Sequence, residues 1–300
     1  MTRILIVGAG ATGGAFGTLL QEAGRDVTYL VRSRRAETLR RDGLRFISPT
    51  GDRTHRVHAL VAGESDEQFD LVLVTVKATA LARAVLDVRP HVRADARVIP
   101  VLNGMAQIDL LEERFPGRVL GGSAKIVATL DGDAVRQMTR LATLTIGTLD
   151  GASMPRSIVD ILDVPGSQLT ISTDIVSALW EKWAFIVAAN VITCLFRSAV
   201  GPVLGAGGLP WILDAVREVE EVAEASGHPV SASAHDQCLA ILTEERSSFT
   251  TSLYRDLIGG LPTEAEHLLG DFSRHARDLG VPVPLLELTL VQIRAGSAMP

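Results

Sequence analysis

The sequence predicts an α/β chain: a doubly wound parallel sheet in the N-terminal part, then an all-α C-terminal domain. Three observations carry this. The first thirty-two residues run strand, glycine loop, helix, strand. Apolar β-branched runs then alternate with helical stretches as far as Gly122. From Asp174 onward the strand signal stops and only helical patterns remain. The domain boundaries follow as 1–173 and 174–300, and at 300 residues two domains are expected.

The opening stretch is the most informative. Ile4-Leu5-Ile6-Val7 is wholly apolar and Gly8-Ala9-Gly10-Ala11-Thr12-Gly13 follows at once. An amphipathic stretch from Ala15 to Ala23 ends at Gly24, and Val27 to Val31 makes a second strand. This is a dinucleotide-binding fingerprint in its required context, so the N-terminal domain is expected to be Rossmann-type. Gly8 permits the tight turn, Gly10 lets the backbone approach a pyrophosphate, and Gly13 lets the helix pack on the strand. The free N–H groups of the helix start suit phosphate oxygens.

Further along, Arg34 to Arg41 reads as a short charged helix. Leu44 to Ile47 and Arg56 to Leu60 flank a Pro49-Thr50-Gly51 turn and read as a β-excursion. Asp70 to Val76 is a buried parallel strand, Ala78 to Val88 a helix, Arg97 to Leu102 a strand and Gln107 to Arg114 a helix. Val119-Leu120 is a strand, and short runs between Lys125 and Ile146 read as hairpins closing the sheet. Pro155 to Leu162 is helical. The C-terminal helices are expected at 175–196, 210–225, 232–244, 264–279 and 285–294.

Composition narrows the function classes. Hydrophobic content of 47% is enough for a sizeable core in each domain. A net charge of −6 and a pI near 5.7 leave no basic field for nucleic acid or an anionic membrane. The apolar run from Trp183 to Phe196 is too short to span a bilayer, and Met1-Thr2-Arg3 before a short apolar run does not make a signal peptide. Cys194 and Cys238 provide no disulfide framework, so a reducing cytoplasm is expected.

Arg32 closes the second strand where an NAD-type site has an acidic residue. With Arg34 and Arg35 it forms a cationic group that suits a 2′-phosphate, whereas Asp26 lies at the opposite end of that strand. NADP is therefore the expected cofactor. Lys77 and Asn103 each follow the C-terminal end of a parallel strand, the edge at which ligands bind in open α/β sheets. Lys182 stands between Trp180 and Trp183 on the most apolar helix, in line with Ile186 and Asn190 at i+4 and i+8. Two readings of Lys182 stand: a lysine snorkelling from a helix edge, or a partly buried proton donor. Thr263 with Glu266 has the spacing of a capping box, and Glu264 either complements that helix dipole or pairs with a buried lysine.

In order and spacing, Gly8 to Gly13, Val76-Lys77-Ala78, Leu102-Asn103-Gly104-Met105, Leu179-Trp180-Glu181-Lys182, Ser252-Leu253-Tyr254-Arg255-Asp256 and Pro262-Thr263-Glu264 resemble the ketopantoate reductases (2-dehydropantoate 2-reductases) over the full length. The resemblance implies NADPH-dependent reduction of ketopantoate to (R)-pantoate in pantothenate biosynthesis. It also implies a helical domain like the C-terminal domain of 6-phosphogluconate dehydrogenase, and no metal. Gly8, Ala9, Gly10, Ala11, Thr12 and Gly13 would hold the cofactor, with Arg32 and Lys77 near the adenosine and its 2′-phosphate, and Ala128 touching it through its backbone. Lys182 would be the proton donor. Asn103 would sit by the nicotinamide and help hold the lysine, and Glu264 would orient the lysine or meet the cofactor ribose. Ser252 and Asn190 would bind the substrate, with Asp256 bracing the serine. The resemblance allows a homodimer.

The chain departs from that pattern at Ile186 and Val200, where the family places asparagines, and at Leu261, where it places arginine. Lost amides change which substrate fits. A sibling reductase of a bulkier or more apolar 2-oxo acid is one alternative, and a non-catalytic NADP-binding sensor is another.

Overall fold

The apolar run Ile4–Val7 becomes the central strand of a parallel sheet in the computed structural model, which describes residues 2–297. Strand β1 (Arg3–Val7) leads through α1 (Ala11–Glu22) to β2 (Asp26–Leu30) and α2 (Ser33–Asp42). Strands β3 (Leu44–Ser48), β4 (Gly51–His55), β5 (His58–Leu60) and β6 (Phe69–Val74) follow. Next come α3 (Leu81–Val88), β7 (Val92–Pro100), α4 (Ala106–Arg114), β8 (Leu120–Asp131), β9 (Ala134–Thr148), α5 (Arg156–Leu162) and β10 (Gln168–Ile171).

The main sheet has the order β5-β2-β1-β6-β7 and is parallel throughout. Its central strands β1 and β6 are continuously apolar over Ile4–Val7 and Leu71–Val74 because both faces are covered there. Ile4, Ile6, Leu71 and Leu73 share one core with Phe16 and Leu19 of α1. Leu5, Val7, Val72 and Val74 share another with Leu81 and Val85 of α3 and Leu111 of α4. The chain leaves β1 toward β2 on one side and β6 on the other, so the crevice at the C-terminal end of β1 is a topological switch point.

A second sheet covers α1. Its order is β10-β9-β3-β4, with β8 also on β9. This corrects three expectations. The runs between 125 and 146 form one long antiparallel hairpin, β8–β9, and do not close the parallel sheet. The partner of β3 is β4, whereas β5 joins the parallel sheet beside β2. Strand β10 was not expected: its polar–apolar alternation, Gln168-Leu169-Thr170-Ile171, is only four residues long and mostly exposed.

The described residues up to Leu102, with Gln107–Ile175, form one compact unit. Asn103–Ala106 and the described residues from Val176 form the second. The second unit is helical: α6 (Ile175–Leu195), α7 (Val200–Gly205), α8 (Leu209–Ala225), α9 (Ala232–Leu242) and α10 (Ser252–Ile258), then a π-helical turn at Glu266–Gly270 running into α11 (Asp271–Asp278), and α12 (Pro284–Ser297). Helices α7 and α10 were not expected, being only six and seven residues long.

Helix α6 spans 21 residues and is apolar and long enough to cross a bilayer, which the run 183–196 did not suggest. Every residue from Val187 to Cys194 is buried, so α6 is the core helix of this unit. The expected capping box does not form. The π-helical turn has no side-chain cap, and Glu266 instead pairs in bidentate fashion with Arg294 at 2.7 and 2.8 Å.

Candidate active site

In the first unit the three fingerprint glycines occupy different environments. Gly8 has φ +99°, and a Cβ there would lie 2.9 Å from Val76 Cγ1. A Cβ on Gly13 would lie 2.1 Å from the Gly8 carbonyl and 2.2 Å from Thr75 Oγ1, so only glycine lets α1 approach β1 and β6 this closely. A Cβ on Gly10 would meet nothing within 4 Å, which leaves an open face over the loop. Gly10 is also the N-cap of α1. No side chain caps the helix and no acidic residue lies in its first turn, where Ala11 and Thr12 are half-buried. An uncapped helix start beneath an open glycine fits a pyrophosphate.

Strands β2 and β6 flank β1, so the segments after them lie on either side of this loop. Arg32 is exposed at the N-cap of α2, and Lys77 is exposed three residues beyond β6. Asp26 begins β2 at the opposite edge and pairs with Arg3 at 3.6 Å. Ala128 lies on β8 where the register with β9 shifts, between Ile126 and Ala128. A bulge of this kind frees backbone groups from the ladder. Arg34 is exposed but Arg35 is not: it donates to the Ala9 carbonyl at 3.1 Å and to the Asp133 carbonyl at 2.9 Å.

In the second unit α6 presents two faces. Trp180 and Trp183 point into an aromatic cluster with Phe272, His275 and His228, and Trp183 Nε1 donates to the Leu268 carbonyl at 3.0 Å. The other face carries Lys182, Phe185, Ile186, Asn190 and Thr193, at i, i+3, i+4, i+8 and i+11. Lys182 and Ile186 are half-buried. Asn190 is 2% exposed and its Nδ2 donates to the Ile186 carbonyl at 2.7 Å. Its Oδ1 is buried without a hydrogen-bond partner among the described residues.

The segment 249–252 runs along this face. Phe249 lies 6.3 Å from Phe185 between ring centroids, and Thr251 Oγ1 lies 3.1 Å from Thr193 Oγ1. Thr251 caps α10 by accepting from Tyr254 N, which leaves Ser252 exposed as the first helical residue. Arg255 donates to the Thr250 carbonyl at 2.8 Å and braces the turn, and Asp256 beside it is half-buried.

Asn103, half-buried, is held by His267, whose Nε2 donates to the Asn103 carbonyl at 3.0 Å. Glu264 is half-buried in the turn that precedes, its own carbonyl accepting from Leu268 N at 2.9 Å. The turn 264–268 therefore gathers three expected residues: Glu264 within it, Asn103 through His267, and Lys182 through its neighbour Trp183. Arg35 was expected only as one of the cations after β2, and His267 did not stand out in the sequence, because the partners of both are backbone carbonyls distant in the chain.

Two family models cover this arrangement. Residues 4–151 match ketopantoate reductase PanE/ApbA, and residues 174–297 match its C-terminal domain. The chain belongs to the ketopantoate reductase family. A relative in Bacillus subtilis, the uncharacterized oxidoreductase YkpB, is 30% identical over 97% of this chain and 98% of its own length. The crystal structure of a PanE/ApbA family ketopantoate reductase from Ralstonia eutropha is 26% identical, with a TM-score of 0.89 over 98% of both chains. D-Mandelate dehydrogenase, solved with NADH and anilino(oxo)acetate, shares the fold with a TM-score of 0.89 over 98% of both chains, at 21% identity. This member of the ketopantoate reductase family is thus an oxidoreductase.

Proposed function

We propose that this chain is an NADPH-dependent reductase of a 2-oxo acid, with 2-dehydropantoate as substrate and (R)-pantoate, the pantothenate precursor, as product. Residues 1–173 form the NADP-binding domain and 174–300 the substrate and catalytic domain in this reading. The uncapped start of α1 and open Gly10 receive the pyrophosphate, Arg32 and Lys77 the 2′-phosphate side, and Ala128 the cofactor through its backbone. When bound, NADPH supplies the hydride. Lys182 donates the proton to the C2 oxygen as its negative charge develops. Asn103 and Glu264 position that lysine, and Ser252 and Asn190 hold the substrate. Cytoplasmic residence belongs to the same reading and is supported by two free, buried cysteines.

The observation that carries the reaction class is the Lys182 face of α6. It aligns one half-buried ammonium with Asn190, whose Oδ1 lacks a donor, opposite the turn bearing Ser252. The hydroxyl of ketopantoate is a donor of the kind that oxygen lacks. A second reading, a bulkier or more apolar 2-oxo acid, is supported by Phe185, Ile186 and Phe249 on the same strip.

NADPH oxidation with ketopantoate, 3-methyl-2-oxobutanoate and phenylglyoxylate separates the two readings. Highest kcat/KM for ketopantoate supports the first, and for either of the others the second. Lys182→Ala is expected to cost about 100- to 10,000-fold in kcat with NADPH affinity retained. Turnover within threefold of wild type would remove Lys182 as the acid.

A further inference from the structure

We infer that Arg35 is a positioning residue for the dinucleotide: it aims the Gly10 N–H at the pyrophosphate and does not read the 2′-phosphate. The inference rests on the nicotinamide reading proposed above.

Arg35 lies in the first turn of α2, and its side chain is 17% exposed, unlike its exposed neighbours Arg32 and Arg34. Its guanidinium is held by two segments of the protein. Nη2 donates to the Ala9 carbonyl at 3.1 Å; Nη1 donates to the Asp133 carbonyl at 2.9 Å and reaches Asp133 Oδ1 at 3.3 Å. Nε is buried without a partner among the described residues. The guanidinium thus spans the glycine loop and the tip of the β8–β9 hairpin.

The consequence lies in the peptide joining Ala9 to Gly10. It is trans, so its carbonyl and its N–H point in opposite directions within one plane. Fixing the Ala9 carbonyl on Arg35 therefore turns the Gly10 N–H away from Arg35. Gly10 could otherwise rotate its flanking peptides cheaply, having no Cβ and nothing within 4 Å of where one would be. An anchored peptide presents its donor without paying to order it when the anion arrives. With both Nη atoms engaged, Arg35 is not disposed to clamp a 2′-phosphate as well, a task left to Arg32 and Lys77.

The test is equilibrium titration of NADPH, NADH and adenosine 2′-monophosphate, which has a 2′-phosphate but no pyrophosphate. The proteins are wild type, Arg35→Ala, Arg35→Met and Arg32→Ala, with thermal midpoints as the folding check. Both Arg35 variants are expected to weaken NADPH and NADH about tenfold each, with their ratio held, and to bind adenosine 2′-monophosphate as wild type does. Arg32→Ala is expected to weaken NADPH and adenosine 2′-monophosphate while sparing NADH. The inference is overturned if folded Arg35→Met loses NADPH selectively or loses adenosine 2′-monophosphate, because Arg35 then reads the 2′-phosphate. Unchanged affinity for both dinucleotides overturns it equally. Wild-type chain that binds neither dinucleotide would sink the nicotinamide reading itself, and this inference with it.

Discussion

Gly10 and Gly13 stand three residues apart in one motif and do opposite things. Gly10 leaves open space over the loop, and Gly13 removes space between α1 and the strands beside it. The difference predicts a difference in cost. Gly13→Ala places a methyl 2.1 Å from a backbone carbonyl that cannot swing aside. It is expected to destabilise the first unit by about 3 kcal/mol or more, the upper range for overpacking. Urea unfolding read by far-ultraviolet circular dichroism checks this. A loss below about 1 kcal/mol would mean that α1 slides on the sheet. Arg34 and Arg35 make the same point in charged side chains: adjacent in sequence, one is solvated and the other is anchored on two backbone carbonyls.

At the level of elements, helix α12 in the second unit is started by a side chain from another helix. Glu218 on α8 is 6% exposed, and its two carboxylate oxygens accept from Leu285 N at 2.9 Å and Leu286 N at 3.2 Å. Two amides in the first turn of α12 are thereby satisfied from outside the helix. Burial pushes the Glu218 carboxyl above its ordinary value of 4.5. It outweighs the two amides and Arg217, which favour the charged form, while Asp214 acts with the burial. A carboxyl raised in the folded chain binds its proton more tightly there than in the unfolded one. Its contribution to stability is therefore fully present below pH 4.5 and declines as the pH rises through the raised value. The stability advantage of wild type over Glu218→Gln is expected to be larger at pH 4 than at pH 7, measured as urea midpoints read by tryptophan fluorescence. An advantage that grows with pH would show that the amides, and not burial, dominate.

Over the whole molecule, the two units have separate hydrophobic cores. All three tryptophans and both cysteines lie in the helical one. Burial pushes the thiols of Cys194 and Cys238 up to about 12 each, so neither is a thiolate near neutrality. Labelling by a thiol reagent at pH 8 is expected to be at least about 100-fold slower in the native chain than in the unfolded one. With added urea it should rise in step with the tryptophan transition. Rapid labelling of the native chain would place one thiol on a locally opening segment.

Read alone, the sequence determined the glycine loop, its strand and helix, the parallel sheet, the change to helices after Asp174 and the reductase motifs. These features are local: a period of 3.6 or a continuous apolar run, a turn glycine, or a short motif. The sequence left open what depends on distant partners. Strand β10 is too short for its alternation to be read, and β5 looks like a hairpin arm until β2 takes it. The Thr263–Glu266 box fails because Arg294, far along the chain, takes the carboxylate first. Within the candidate site, Lys182, Asn103 and Glu264 could be named from sequence, but the His267 and Trp183 bonds that join their segments could not. A backbone carbonyl leaves no mark in a sequence, so the anchors of the 264–268 turn, and of Arg35 on the glycine loop, were decided by tertiary structure alone.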